Sequence, residues 1–70
     1  MNAELAIWTV YQSPLDYPGR VVARRFLLDR PTDQIIIGSS LEEVRAQLPY
    51  GMLRIERSPS DEAHIVEVWL

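Results

Sequence analysis

The sequence predicts an α+β fold: a single five-stranded, mostly antiparallel sheet in the order β-β-β-α-β-β, with one short helix packed on one face. Three observations predict it. Five short runs are rich in β-branched and aromatic residues, the signature of strands. One stretch has an N-cap signal followed by apolar residues at helical spacing. The five prolines, at positions 14, 18, 31, 49 and 59, read as breaks between these segments, because proline lacks the amide proton a ladder needs.

The first run, "LAIWTVY" at residues 5–11, reads as a strand, and so does "RVVARRFLL" at residues 20–28. Between them, Tyr17 precedes a proline and should be extended. Pro18 and Gly19 then fit the centre of a type II turn, which needs one φ near −60° and then a positive one. "DRPTD" at residues 29–33 reads as a polar turn, and "QIIIG" at residues 34–38 as a short strand. That strand has no polar face, which predicts a central position or cover on both sides.

"SSLEEVRAQL" at residues 39–48 predicts the helix. Ser40 and Glu43 have the spacing of a capping box, in which each side chain satisfies a free amide of the first turn. Leu41, Val44 and Leu48 form one apolar stripe. Acids near the start suit the helix dipole. A helix of about two turns does not survive alone and must pack on the sheet. "PYG" at residues 49–51 ends it.

The closing runs are "MLRIERS" at residues 52–58 and "HIVEVWL" at residues 64–70, joined by "PSDEA" as a hairpin connection. Pairing Ile55 with Val66 gathers Leu53, Ile55, Val66, Val68 and Leu70 on one apolar face. The other face then sets Arg54 opposite Glu67 and Met52 opposite Trp69. A slip of one residue would mix the two sets. The link from residue 37 to residue 53 would allow a parallel pair.

Composition limits function. Seventy residues make one domain with a marginal core, and there is no cysteine to staple it. Such chains often complete their burial by association. One histidine is too few for a histidine-based zinc site, and no cofactor is expected. The first residues carry Glu4 and no basic residue, unlike a secretory signal, and no apolar stretch is long enough to span a membrane. The expected location is the cytoplasm. Net charge is −3, split into near +1 over residues 1–31 and near −4 over the rest. All seven cations are arginine, which suits forked contacts at interfaces.

No catalytic constellation stands out. Glu42 and Glu43 are helix neighbours that do not face each other. Ser39 and Ser40 read as caps, outside any nucleophile-elbow pattern. His64 reads as a polar strand end near Asp61 and Glu62. Arg24 and Arg25 are adjacent in a strand, so they point to opposite faces. The one on the covered side needs a partner, and the outer one is placed to stack on Trp8 or Trp69.

These features predict a non-enzymatic domain that binds a protein partner or itself through the sheet face opposite the helix. The expected face holds Met52, Arg54, Ile65, Glu67 and Trp69, joined by Trp8 and one of Arg24 and Arg25. Aromatic residues and methionine among paired charges suit an interface. The alternative is nucleic-acid or anionic-ligand binding through Tyr17, Arg20, Arg24, Arg25 and Arg30.

At "IWTVY", "DYPGR", "VARRF", "SLEEVRAQLP" and "IVEVWL" the chain resembles a family of short, uncharacterised bacterial proteins. The resemblance covers most of the chain. It implies a stand-alone small domain and carries no activity or functional residue with it.

Overall fold

Strand-forming runs and the capped helix become six elements, seen in a computed structural model that describes residues 5–27, 30–58 and 63–70. They are β1 (Ala6–Gln12), β2 (Val21–Leu27), β3 (Arg30–Gly38), α1 (Leu41–Gln47), β4 (Arg54–Glu56) and β5 (Ile65–Trp69). The five strands form one sheet in the order β3-β2-β1-β5-β4, and α1 rests on β2 and β3. Every pairing is antiparallel. The parallel pair allowed for β3 and β4 does not form. β5 pairs with β1, so β4 is added beyond it, at the opposite edge from β3.

The β1–β2 corner follows its turn chemistry. Arg20 N–H donates to the Tyr17 carbonyl at 3.2 Å, and Gly19 has φ +76°, as a type II turn requires. Ser13 has φ 50°, and its hydroxyl accepts from Gly19 N–H at 2.9 Å. One side chain thus ties the two ends of the loop together.

β3 departs from expectation in two ways. It starts at Arg30, so residues 30–33 are strand and not turn, and Pro31 lies inside it. It is also an edge strand and not a central one. The two findings share a cause, because an edge tolerates proline where no neighbour awaits its amide. The irregular register between Arg24 and Phe26 is absorbed by Thr32. Its hydroxyl donates to the Arg25 carbonyl at 2.8 Å and accepts from Gln34 N–H at 3.2 Å.

Ser40 caps α1, accepting from Glu43 N–H at 3.2 Å. The reciprocal bond is displaced by one residue. Glu43 Oε2 accepts from Ser39, from its hydroxyl at 2.7 Å and its amide at 3.2 Å. These two bonds hold the Glu43 carboxyl below its usual range against the opposing effect of burial, with the charge of Arg20 adding to them.

β4 and β5 pair with Ile55 opposite Val68 and Arg54 opposite Trp69. This register differs by two residues from the expected Ile55–Val66 pairing. A two-residue shift preserves which side chains share a face, so the separation of Leu53, Ile55, Val68 and Leu70 from Arg54, Glu67 and Trp69 survives. Val66 changes sides. A bulge between Val10 and Tyr11 gives β5 an extra residue, and Val66 packs with Trp69 on the helix side. Residues 59–62, most of the expected hairpin connection, lie outside the described residues, as do Asp61 and Glu62 beside His64.

The core is Trp8, Val10, Val21, Ala23 and Val44. Around it pack Ile36, Leu41, Leu48, Met52, Val66 and Trp69. The helix can approach closely because the strands beneath it carry small residues. A Cβ on Gly38 would stand 2.9 Å from Val44 Cγ2, inside contact distance. Val44 is fully buried, a contribution of about 1.5–3 kcal/mol from transfer alone.

Candidate interaction face

Antiparallel partners share a face, so the register sorts each strand residue to one side of the sheet. On the helix side lie Trp8 with Arg25 and Trp69, Val10 with Ala23 and Glu67, and Arg54 with Trp69. On the other side, three rows run across the strands. One joins Ile37, Val22, Tyr11 and Ile65. The next crosses all five strands as Ile35, Arg24, Thr9, Val68 and Ile55. The third has Phe26 beside Ile7, and Leu53 exchanging both backbone hydrogen bonds with Leu70 at 2.6 and 3.0 Å.

This second face has no helix on it. The aliphatic side chains at its edges remain open to solvent, at 37% for Ile35, 40% for Ile37, 42% for Ile55 and 66% for Leu53. Arg24 is the only charged residue in the three rows. It is ion-paired with Asp16 and lies 6.0 Å from the centre of the Tyr11 ring. Asp16 belongs to the β1–β2 loop. That loop therefore reaches over one end of the face, where Val22 is fully buried.

The helix side holds the charges. Glu67 is 1% exposed, the largest fully buried side chain among the described residues. Its Oε2 accepts from Arg45 Nε at 2.9 Å and from Trp69 Nε1 at 2.5 Å. Its Oε1 accepts from Arg54 Nε at 3.1 Å and from the second Arg45 nitrogen. Burial by itself would raise the Glu67 pKa. The hydrogen bonds from Arg45, Trp69 and Arg54, with the charge of Arg45, outweigh it and hold the group at about 2. The hydrogen bond to Glu67 raises the Arg45 pKa against the opposing effect of burial, with the charges of Glu67 and Glu42 adding to it. Glu67 thus ties α1, β4 and β5 into one unit.

This assignment reverses the expected faces. Trp8, Met52, Arg54, Glu67 and Trp69 were expected opposite the helix and instead lie beneath it or at its margin. Arg25 shares that side through its pairing with Trp8. Of the expected interface residues, Ile65 and Arg24 alone are on the open face. The reason is that charge in a pattern does not identify the wet side: Arg45 from α1 completes the Glu67 site, and fully hydrogen-bonded charge can be buried. Sequence reasoning missed Ile35, Ile37, Leu53 and Ile55 as open-face residues. A usable signal was present in Gly38 and Ala23, small residues that mark where a helix can approach.

The residues of the anion-binding alternative are not brought together. Arg24 is paired with Asp16, Arg25 lies on the opposite face, and Arg20 is near Glu43. Arg30 stands opposite Leu27, at the far end of β2 from Arg20. The aromatic partner of Arg24 is Tyr11 and neither tryptophan. His64 lies at the entrance to β5, with Nδ1 3.3 Å from the Gln12 carbonyl.

Among the described residues, no group of His, Cys, Asp or Glu could hold a metal ion, no pocket opens, and no helix is long and apolar enough to cross a membrane. Comparison with protein-family models, curated proteins and solved structures finds no match.

Proposed function

We propose that this chain is a non-enzymatic protein–protein interaction domain that uses the sheet face opposite α1. The observation that carries the reading is the set of open aliphatic side chains at the two edges of that face, Ile35 and Ile37 on β3 and Leu53, Ile55 and Leu70 at the β4–β5 side. Exposed aliphatic side chains clustered on one face suit an interaction site. Its single charge is neutralised within the chain, so a partner would recognise it by shape and apolar contact and not by charge. The cysteine-free composition supports a cytoplasmic setting.

The test is photo-crosslinking in cells. A photoreactive residue replacing Leu53 should form protein adducts, whereas one replacing Glu42 on the exposed side of α1 should not. Equal or absent adducts at the two positions would remove the reading.

A further inference from the structure

We infer that the chain pairs edge to edge with a second copy of itself, β3 against β3 and antiparallel, so that two sheets become one. This contact uses the backbone at the rim of the sheet. It does not depend on the open face being an interface.

The two edges of the sheet are built differently. Unpaired backbone groups invite another strand, and edges are normally blunted by shortness, charge, proline or a bulge. The β4 edge spans only Arg54–Glu56, with a charge at each end. The first half of β3 is blunted too, by Arg30, Pro31, Asp33 and the irregular register beside them. Residues 34–38, "QIIIG", carry neither charge nor proline, pair regularly, and expose Ile35 and Ile37.

The backbone of this stretch is directed outward at two known places. Bonding and non-bonding pairs alternate along an antiparallel ladder. Ser13 N–H donates to the Arg20 carbonyl at 2.7 Å, so Tyr11–Val22 and Thr9–Arg24 are the bonding pairs of β1 and β2. Val21 and Ala23 then bond to β3, at Gly38 and Ile36. The amides and carbonyls of Ile35 and Ile37 point away from the sheet, where no strand of the described structure lies.

A second copy fits those groups in one register. Antiparallel pairing that satisfies them sets Ile35 against Ile37 of the partner subunit, with Ile36 against its own counterpart on a two-fold axis. Every outward group of the two residues is then matched, and isoleucine meets isoleucine on both sides of the sheet. A slip of two residues sets Asp33 or Ser39 against an isoleucine instead. In the favoured register the two Asp33 residues stand about 20 Å apart along the strands. The stretch is apolar symmetrically about Ile36, a symmetry that pairing with itself requires and pairing with an unrelated strand does not. The blunted β4 edges are left outside, which stops the assembly at two copies.

Sedimentation equilibrium of the full chain from about 1 µM to about 1 mM, joined to amide hydrogen exchange, tests this. A weak dimer is expected within that range. The amides of Ile35 and Ile37 should exchange at least tenfold more slowly in the dimer, while those of Arg54 and Glu56, outward at the other edge, stay fast. Ile35→Pro removes an outward amide without touching the β2 ladder, and should weaken the dimer at least tenfold. Leu53→Glu, on the open face, should leave it unchanged. Circular dichroism and Trp8 emission verify that each variant is folded, and exchange in the unmodified chain decides the matter if Ile35→Pro is not. A monomer at the highest concentration overturns the inference, as does a dimer in which Ile35 and Ile37 exchange fast. A dimer that survives Ile35→Pro and is lost in Leu53→Glu overturns it and assigns the association to the open face.

Discussion

Tyr11 and Trp8 are three residues apart on β1 and face different worlds. Trp8 lies under α1 among Val10, Ala23 and Val44, beside a carboxylate held by two arginines. Tyr11 looks the other way, across a row of aliphatic residues that no helix covers. The covered face contains the ionised Glu67, and the open face contains Ile35, Ile37 and Ile55. Burial here follows completeness of hydrogen bonding and closeness of fit, not hydrophobicity residue by residue. Glu67 can be buried because four hydrogen bonds meet its two oxygens. Ile55 and Leu53 stay open because α1, the one helix among the described residues, packs on the other side.

The contrast can be broken at its charged centre. Glu67→Ala leaves Arg45, Arg54 and the Trp69 indole without their common acceptor, and should destabilise the fold by about 3 kcal/mol in urea denaturation. That is at the low end for breaking a buried pair, because both arginines remain half in water. A loss below about 1 kcal/mol would show that the cluster does not hold the helix side together.

Acid probes the same group without mutation. The Glu67 pKa is lowered from 4.5 in the unfolded reference to about 2 when folded. A lowered carboxyl stabilises the fold above its unfolded value and loses that contribution as pH falls through the folded one. Stability should therefore drop by about 3 kcal/mol between about pH 4.5 and pH 2. Glu67→Gln should flatten this slope, and a wild-type slope surviving that change would assign it to other acids.

The closeness of fit can be broken at Gly38. Gly38→Ala places a methyl against Val44, a stiff, buried side chain, and should cost about 1–3 kcal/mol. If the variant matches wild type, the helix stands off more than this contact allows. On the open face, effects on folding should be small. Asp16→Ala removes an exposed ion pair and should cost at most about 1 kcal/mol by thermal denaturation. Ile55→Glu, in a side chain already open to water, should change stability by less than about 0.5 kcal/mol in urea denaturation.

Much of this was legible in the residues. Ser40 announces the helix start, Pro18 and Gly19 announce the corner, and alternation along residues 53–56 and 67–70 separates the two faces of the last hairpin. The register of that hairpin was not legible, because shifts of two residues preserve the alternation. Pro31 misled, since a proline inside a strand is admissible only at an edge, and edge position is a property of the sheet.

By itself, then, the sequence determined the element order, the helix cap, the turn and which side chains travel together, because each depends on contacts between near neighbours. The tertiary structure decided which of the two faces lies under the helix. That choice depends on Arg45 meeting Glu67 across 22 residues of chain, and on Gly38 admitting Val44. Local pattern is equally compatible with either side. Only long-range fit distinguishes a carboxylate that can be buried from an isoleucine left open.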